Sequence, residues 1–126
     1  MSDFTCHVGE ELGELTRKDY REACKRLDFY AEYNGNRYCV LHYPSAKNVE
    51  EFVEAARGKL RGGNFDFRGC CFPKGGSRFR DFVFTGEALF SSATFEGEAA
   101  FDGATFKEKA DFSDVTFTGW AWFFWV

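Results

Sequence analysis

The chain has 126 residues and a formal net charge of −4, which fits one ordinary domain or a small cap fused to a repeat. This mild acidity argues against a general nucleic-acid or anionic-membrane binder, because phosphate contacts require clustered Lys and Arg. The longest apolar run, Trp120 to Val126, is far shorter than the roughly 20 residues that span a bilayer. The N-terminus has no basic stretch followed by an apolar core, so we expect a cytoplasmic protein.

One helix and one hairpin are predicted in the first part of the chain. Apolar residues recur at helical spacing from Thr16 to Leu27. Further on, the segments 29–33 and 37–43 flank Asn34-Gly35-Asn36. Two strand-like segments around an Asn-Gly pair are typical of a β-hairpin.

A second helix is predicted over residues 48–61. Asn48 can cap it, Glu51 stands three residues later as in a capping box, and Gly62 can end it. Its apolar face is formed by Val49, Phe52, Val53, Ala56 and Leu60. Because this helix directly precedes a Phe-rich half, we expect its apolar face to cover the start of that half. We therefore predict two domains: residues 1–63 form a helix–hairpin–helix cap, and residues 64–126 form a repeat.

The repeat is indicated by the phenylalanines, of which the chain has 17, while it has no Ile. The half 1–63 holds three of them and the half 64–126 holds fourteen. From Phe79 a regular series of them lies at positions 79, 84, 90, 95, 101, 106, 112, 117 and 123. The steps alternate between five and six residues, so the unit has eleven residues. Small residues stand two positions before each Phe from Phe90 onward: Ala88, Ala93, Ala99, Ala104, Ala110, Val115 and Ala121.

This spacing excludes a helix, around which steps of five and six residues would scatter the rings. In short extended segments, residues i−2 and i face the same side, so the small residue and the Phe share the interior. The predicted structural core is Phe90, Phe95, Phe101, Phe106, Phe112, Phe117, Ala93 and Ala104. The pairs that follow the rings, such as Ser91-Ser92 and Asp102-Gly103, are turn formers. A sandwich of Phe-rich strands is the alternative, and it would need varied loop lengths.

The motif resembles that of the pentapeptide-repeat family, A-(D/N)-(L/F)-x-x. Close matches are ATF at 93–95 and 104–106, AAF at 99–101 and ADF at 110–112. The resemblance implies a mainly β fold, a short right-handed quadrilateral β-helix with Phe in its interior. Four sides take about 22 residues here, so residues 22 apart should stack at about 4.8 Å. The predicted stacks are Phe90 on Phe112, Phe95 on Phe117 and Phe101 on Phe123.

The cap contains a candidate metal site. Its run Cys39-Val-Leu-His42 resembles the C-x-W/F-H element that precedes the repeats in some prokaryotic pentapeptide-repeat proteins, where further upstream cysteines complete a set. Cys6, Cys24, Cys39 and His42 would then supply three thiolates and an imidazole. This donor set makes a closed tetrahedral zinc site, and the metal could stabilise a cap that is too small to have a large core.

Other interpretations of these residues stay open. Cys24 fits the apolar face of its helix as a buried thiol, and His42 could be a surface histidine in a strand, with His7 as a replacement ligand. Reduced structural cysteines and disulfides are both alternatives to zinc. Cys70, two residues before Phe72, is expected to be a small interior residue of the repeat.

The sequence favours a non-catalytic protein-interaction or scaffold module with an unknown protein partner, and with no nucleic acid or membrane as partner. The repeats contain no His, and no nucleophile elbow, phosphate loop or carboxylate pair stands out. The resemblance implies one alternative, a DNA mimic that binds type II topoisomerases. However, three coils rise only about 14 Å, or about four base pairs. A small zinc-stabilised structural domain is the other alternative.

The C-terminus predicts self-association. In the repeat register Ala121 and Phe123 point inward, which leaves Trp120, Trp122 and Trp125 outside or over the open end. Soluble monomers seldom tolerate an unpaired β-edge together with a large aromatic patch. We therefore expect a homodimer that meets end to end through these three Trp. A tail folded over the last coil and a longer natural solenoid are the alternatives.

Overall fold

The computed structural model describes residues 6, 27 and 29–123. Its first element is a β-hairpin in which β1 (Ala31–Tyr33) pairs antiparallel with β2 (Asn36–Tyr38). Asn34 and Gly35 join the strands with φ of 49° and 81°, the left-handed backbone of a two-residue hairpin turn. The hairpin therefore lies where the Asn-Gly pattern predicts it. The helix predicted from residue 16 falls outside the described residues, apart from Leu27 at its end.

Helix α1 (Val49–Arg61) is present where its pattern predicts it. It begins at Asn48, whose side-chain oxygen accepts a hydrogen bond from the Glu51 amide at 3.0 Å. Phe52 on its apolar face is buried, and its ring packs edge-on against Phe72 at a centroid distance of 5.1 Å. The helix therefore covers an aromatic ring at the start of the Phe-rich half.

Nine two-residue strands follow the helix. They are β3 (Cys71–Phe72), β4 (Val83–Phe84), β5 (Ala88–Leu89), β6 (Thr94–Phe95), β7 (Ala99–Ala100), β8 (Thr105–Phe106), β9 (Ala110–Asp111), β10 (Thr116–Phe117) and β11 (Ala121–Trp122). They form four parallel sheets: β3-β6-β10, β4-β8, β5-β9 and β7-β11. Each strand from β4 to β7 pairs with the strand four places later, and the partner residues are 22 positions apart. The described chain is thus a β-rich repeat with one helix.

The first repeat departs from the 22-residue register by one residue. Cys71 pairs with Thr94, a separation of 23 positions, whereas Arg78 pairs with Ala100 at 22 positions. The extra residue lies in the turn 73–76, where the amide of residue 76 donates to the carbonyl of residue 73 at 2.8 Å. This insertion explains why the regular spacing of phenylalanines begins only at Phe79.

Columns of stacked phenylalanine rings fill the interior of the repeats. The predicted stacks are present with centroid distances of 5.0 Å for Phe90–Phe112, 5.1 Å for Phe95–Phe117 and 5.1 Å for Phe101–Phe123. Four more pairs extend the columns: Phe67–Phe90 at 5.4 Å, Phe72–Phe95 at 4.3 Å, Phe79–Phe101 at 5.0 Å and Phe84–Phe106 at 4.8 Å. The rings are nearly parallel, and their spacing is close to the distance between neighbouring strands in a sheet. Each column of rings therefore follows the stacking of the strands.

Burial falls along the columns towards the C-terminal end. The side chains of Phe90, Phe95, Phe101, Ala93 and Ala104 have no exposed surface. Phe106 and Phe112 are half-buried, and Phe117 is 36% exposed. The expectation of a buried core position is therefore wrong for Phe117. Its ring stacks on Phe95, and no described residue stacks on its other face.

Candidate metal centre

A tight turn over residues 39–43 brings two potential metal ligands together. The amides of His42 and Tyr43 both donate to the Cys39 carbonyl, at 3.3 and 3.0 Å. Strand β2 therefore ends at Tyr38, and the expectation that His42 lies in a strand is wrong. In a strand, residues three apart face opposite sides. In this turn, the Cys39 Sγ lies 3.1 Å from the His42 Nδ1.

Cys6 completes a cluster of three donor groups. The ligand atoms of Cys6, Cys39 and His42 all lie within 4.8 Å of one another. Their exposed fractions are 3%, 0% and 1%, so the cluster is closed to solvent. Tetrahedral zinc with sulfur and nitrogen ligands requires donor atoms about 3.5–3.8 Å apart. The observed spacing fits that requirement after small adjustments.

The orientation of the His42 ring also suits a metal ligand. Its Nε2 lies 2.8 Å from the Arg68 carbonyl oxygen, which can only accept a hydrogen bond. The proton of a neutral ring is therefore assigned to Nε2, and Nδ1 keeps its lone pair towards Cys39. Metal-bound histidines usually donate their other N–H to a carbonyl or carboxylate in this way, which fixes the ring.

The electrostatics of the cluster favour a positive charge. Burial lowers the pKa of the His42 imidazole, but negative charge on the nearby Cys70 and Cys39 outweighs burial and raises that pKa well above its ordinary value. A bound zinc ion would supply a positive charge next to the negatively charged sulfur atoms, as a protonated His42 does. Since a metal ligand must be unprotonated, zinc binding at Nδ1 would release the Nδ1 proton of a charged ring and leave the Nε2 proton on the Arg68 carbonyl.

The other predicted ligands are placed differently. Cys24 and His7 lie outside the described residues. Cys70 is fully buried, as expected for a small interior residue, and its Sγ lies 3.8 Å from the His42 Nε2. It therefore faces the nitrogen that bonds to Arg68, on the far side of the ring from Cys39. The repeat register gave no sign that Cys70 would approach His42.

Lys47 is a structural residue of this region that the sequence pattern did not reveal. Its Nζ donates to the Val40 carbonyl at 2.7 Å and to the Cys71 carbonyl at 2.8 Å. Burial lowers the pKa of Lys47, and the nearby Cys71 thiol opposes that shift. The Cys71 amide donates to the Leu41 carbonyl at 2.8 Å. The turn that carries Cys39 is thereby bonded directly to β3.

A cavity lies beside helix α1. It has a volume of about 650 Å³ and lies between the helix and the start of the repeats. Its acidic lining residues are Glu54, Asp66 and Glu87, and no described His, Cys, Ser or Thr lines it. Glu54 and Asp66 are already paired with Arg57 and Arg68. The described lining of this cavity therefore offers no hydroxyl or thiol nucleophile.

The predicted interface residues lie at the other end of the repeats. Trp120 is 73% exposed, and its ring lies 6.2 Å from that of the half-buried Trp122, at 25° to it. Phe123 is 40% exposed, and Trp125 lies outside the described residues. We call Phe117, Trp120, Trp122 and Phe123 the C-terminal aromatic surface.

The comparisons with known proteins agree with the register of the strands. The family model for pentapeptide repeats (9 copies) matches residues 79–124. This match shows that residues 79–124, less than half of the chain, carry pentapeptide repeats. Pentapeptide-repeat proteins are generally non-catalytic. No curated protein and no solved structure matches the chain. Among the described residues, no helix has both the length and the apolarity that crossing a membrane requires.

Proposed function

We propose that this protein is a non-catalytic protein-interaction or scaffold module. Its pentapeptide repeats would form a right-handed quadrilateral β-helix, and its N-terminal residues would form a cap held by a metal centre. The observation that carries the proposal is the 22-residue register from β4 onward, which recurs in all four sheets with Phe columns inside. Such a register fixes outward-facing side chains on rigid surfaces, which repeat proteins use for binding.

The metal centre is proposed to hold zinc through Cys6, Cys39 and His42, with Cys24 as the fourth ligand. The support is the burial of all three described donor groups, their mutual distances and the Nε2 bond of His42 to Arg68. A buried site without access for water favours a fourth protein ligand, as in structural zinc sites. Zinc there would be structural and would stabilise the folded cap.

The C-terminal aromatic surface is proposed to bind a second copy of this chain. Exposed apolar patches of this kind mark interaction sites, and Trp is enriched at the centres of interfaces. The exposed strand edges of the last repeats would be protected by the same contact. Mimicry of a DNA duplex is disfavoured, because the described strands number at most three on any sheet.

Sedimentation combined with Trp fluorescence tests this function. The purified chain should form dimers at micromolar concentration, and its emission should shift to shorter wavelength as Trp120 becomes buried. Trp120→Asp should abolish both effects. Thr94→Asp introduces the same charge on β6, away from the surface, and should leave association intact. A wild-type chain that stays monomeric with unshifted emission at every concentration would contradict the proposal.

A further inference from the structure

One end of the repeat stack is covered by other elements of the chain, and the other end is not. At the N-terminal end, the turn 39–43 and helix α1 lie against β3. At the C-terminal end, the last rings of the columns remain half-buried or exposed. We infer that the cap, held by its metal centre, blocks other copies of this chain from stacking on the first repeat, so that the closed dimer through the C-terminal aromatic surface is the assembly that forms. This inference rests on the proposed metal centre.

The cap covers the groups on which another copy would stack. The Cys71 amide donates to the Leu41 carbonyl, and the Cys71 carbonyl accepts from Lys47, each at 2.8 Å. These are backbone groups through which a strand pairs with a neighbour. The ring of Phe72 is covered edge-on by Phe52 of helix α1. The cap therefore occupies both the backbone edge and the aromatic face of β3.

The metal ligands lie in the same turn that provides this cover. Cys39 and His42 are part of the turn 39–43, and the Nε2 of His42 donates to the Arg68 carbonyl, also in the first repeat. Loss of the metal would remove the link between this turn and Cys6. The turn would then be held to the repeats by its hydrogen bonds and by the packing of Val40 and Leu41 in the core.

The two ends are complementary once the cap is released. Phe72, Phe95 and Phe117 form one column with spacings of 4.3 and 5.1 Å. Phe79 begins a second column, which ends at Phe123. In place of the dimer contact, a second copy that set its Phe72 on Phe117 and its Phe79 on Phe123 would continue both columns in the same parallel arrangement. This head-to-tail contact repeats without closing, so it produces open-ended assemblies.

The test compares the full chain with and without metal under reducing conditions, by sedimentation from micromolar concentration upwards. Metal-loaded protein should not exceed the mass of two 14.4-kDa chains. After removal of zinc with a chelator, the average mass should rise above that limit and grow with concentration. The metal-free double variant Phe117→Asp and Phe123→Asp should stay within the limit. The metal-free control Thr94→Asp should grow as the wild type does.

Amide exchange shows which end has opened. In metal-free protein at low concentration, the Cys71 amide should lose protection, whereas the Thr116 amide, bonded to the Ala93 carbonyl at 3.0 Å, should keep it. Purified protein without zinc would overturn the metal centre itself. If zinc can be removed and the mass of the assembly does not rise, the inference is wrong, although the metal centre itself is confirmed. Loss of Thr116 protection would also overturn it, because the metal would then be needed for folding of the repeats.

Discussion

Replacing single rings in one Phe column should reveal how the stack is stabilised. Phe95 has no exposed surface and lies between Phe72 at 4.3 Å and Phe117 at 5.1 Å. Phe95→Ala would remove a buried ring and leave a cavity with rings on both sides, which costs about 3–5 kcal/mol. Phe117 is 36% exposed and stacks on one described ring. Phe117→Ala opens no closed cavity, so we expect a loss of about 1–2 kcal/mol.

Urea unfolding followed by far-UV circular dichroism measures both losses. The midpoints should shift while the denaturant slope stays the same, because a changed slope would signal a different unfolded or native state. The measurement belongs at a concentration where the chain is monomeric, since a partner on the C-terminal aromatic surface would raise the cost of Phe117→Ala. Equal losses for Phe95→Ala and Phe117→Ala in the monomer would refute the column arrangement.

Three further substitutions test separate parts of the fold by the same unfolding assay. Ala104→Leu should overpack the interior and destabilise by about 1–3 kcal/mol, while the exposed Thr105→Ser should stay within about 0.5 kcal/mol; similar effects would remove the assignment of inside and outside. Lys47→Met should cost about 1–3 kcal/mol, because the carbonyls of Val40, Leu41 and Cys71 lose a hydrogen-bond donor, and an unchanged midpoint would contradict this role. Gly103→Ala should destabilise by about 1 kcal/mol or more, since φ is +74° there and the added Cβ would overlap the Asp81 carboxylate. Gly58→Ala in helix α1, where the added Cβ meets nothing within 4 Å, should instead stabilise the protein by about 0.5–1 kcal/mol. If both glycine substitutions moved the unfolding midpoint in the same direction, the backbone argument would be wrong.

The repeat could be predicted from the sequence because its spacing is periodic. Once Phe90 and Phe112 are assigned to the interior of extended segments, the alternating steps of five and six residues fix the 22-residue register. The insertion at 73–76 could not be predicted in the same way, since no ring lies between Phe72 and Phe79 to mark it. A local turn sequence rich in Gly and Pro indicates a bend, but it does not indicate how many residues the bend absorbs.

The candidate metal centre was less predictable. The apolar pair Val40-Leu41 favours a strand, so the sequence extends β2 too far, whereas the chain turns to bond with β3. Lys47 has no distinguishing pattern, because its partners are backbone carbonyls distant in sequence. The nearness of Cys6 to the Cys39-His42 pair depends on tertiary packing, which residue spacing alone does not encode.

Metal analysis of the purified chain tests the central claim most directly. Elemental analysis should find about one zinc per chain in the wild type, as a closed structural site requires. Cys39→Ser should lose the zinc because it removes a ligand. Cys70→Ser should keep it, because Cys70 faces the His42 Nε2, which is bonded to the Arg68 carbonyl. Zinc-free wild-type protein, or zinc that survives Cys39→Ser but not Cys70→Ser, would contradict the account.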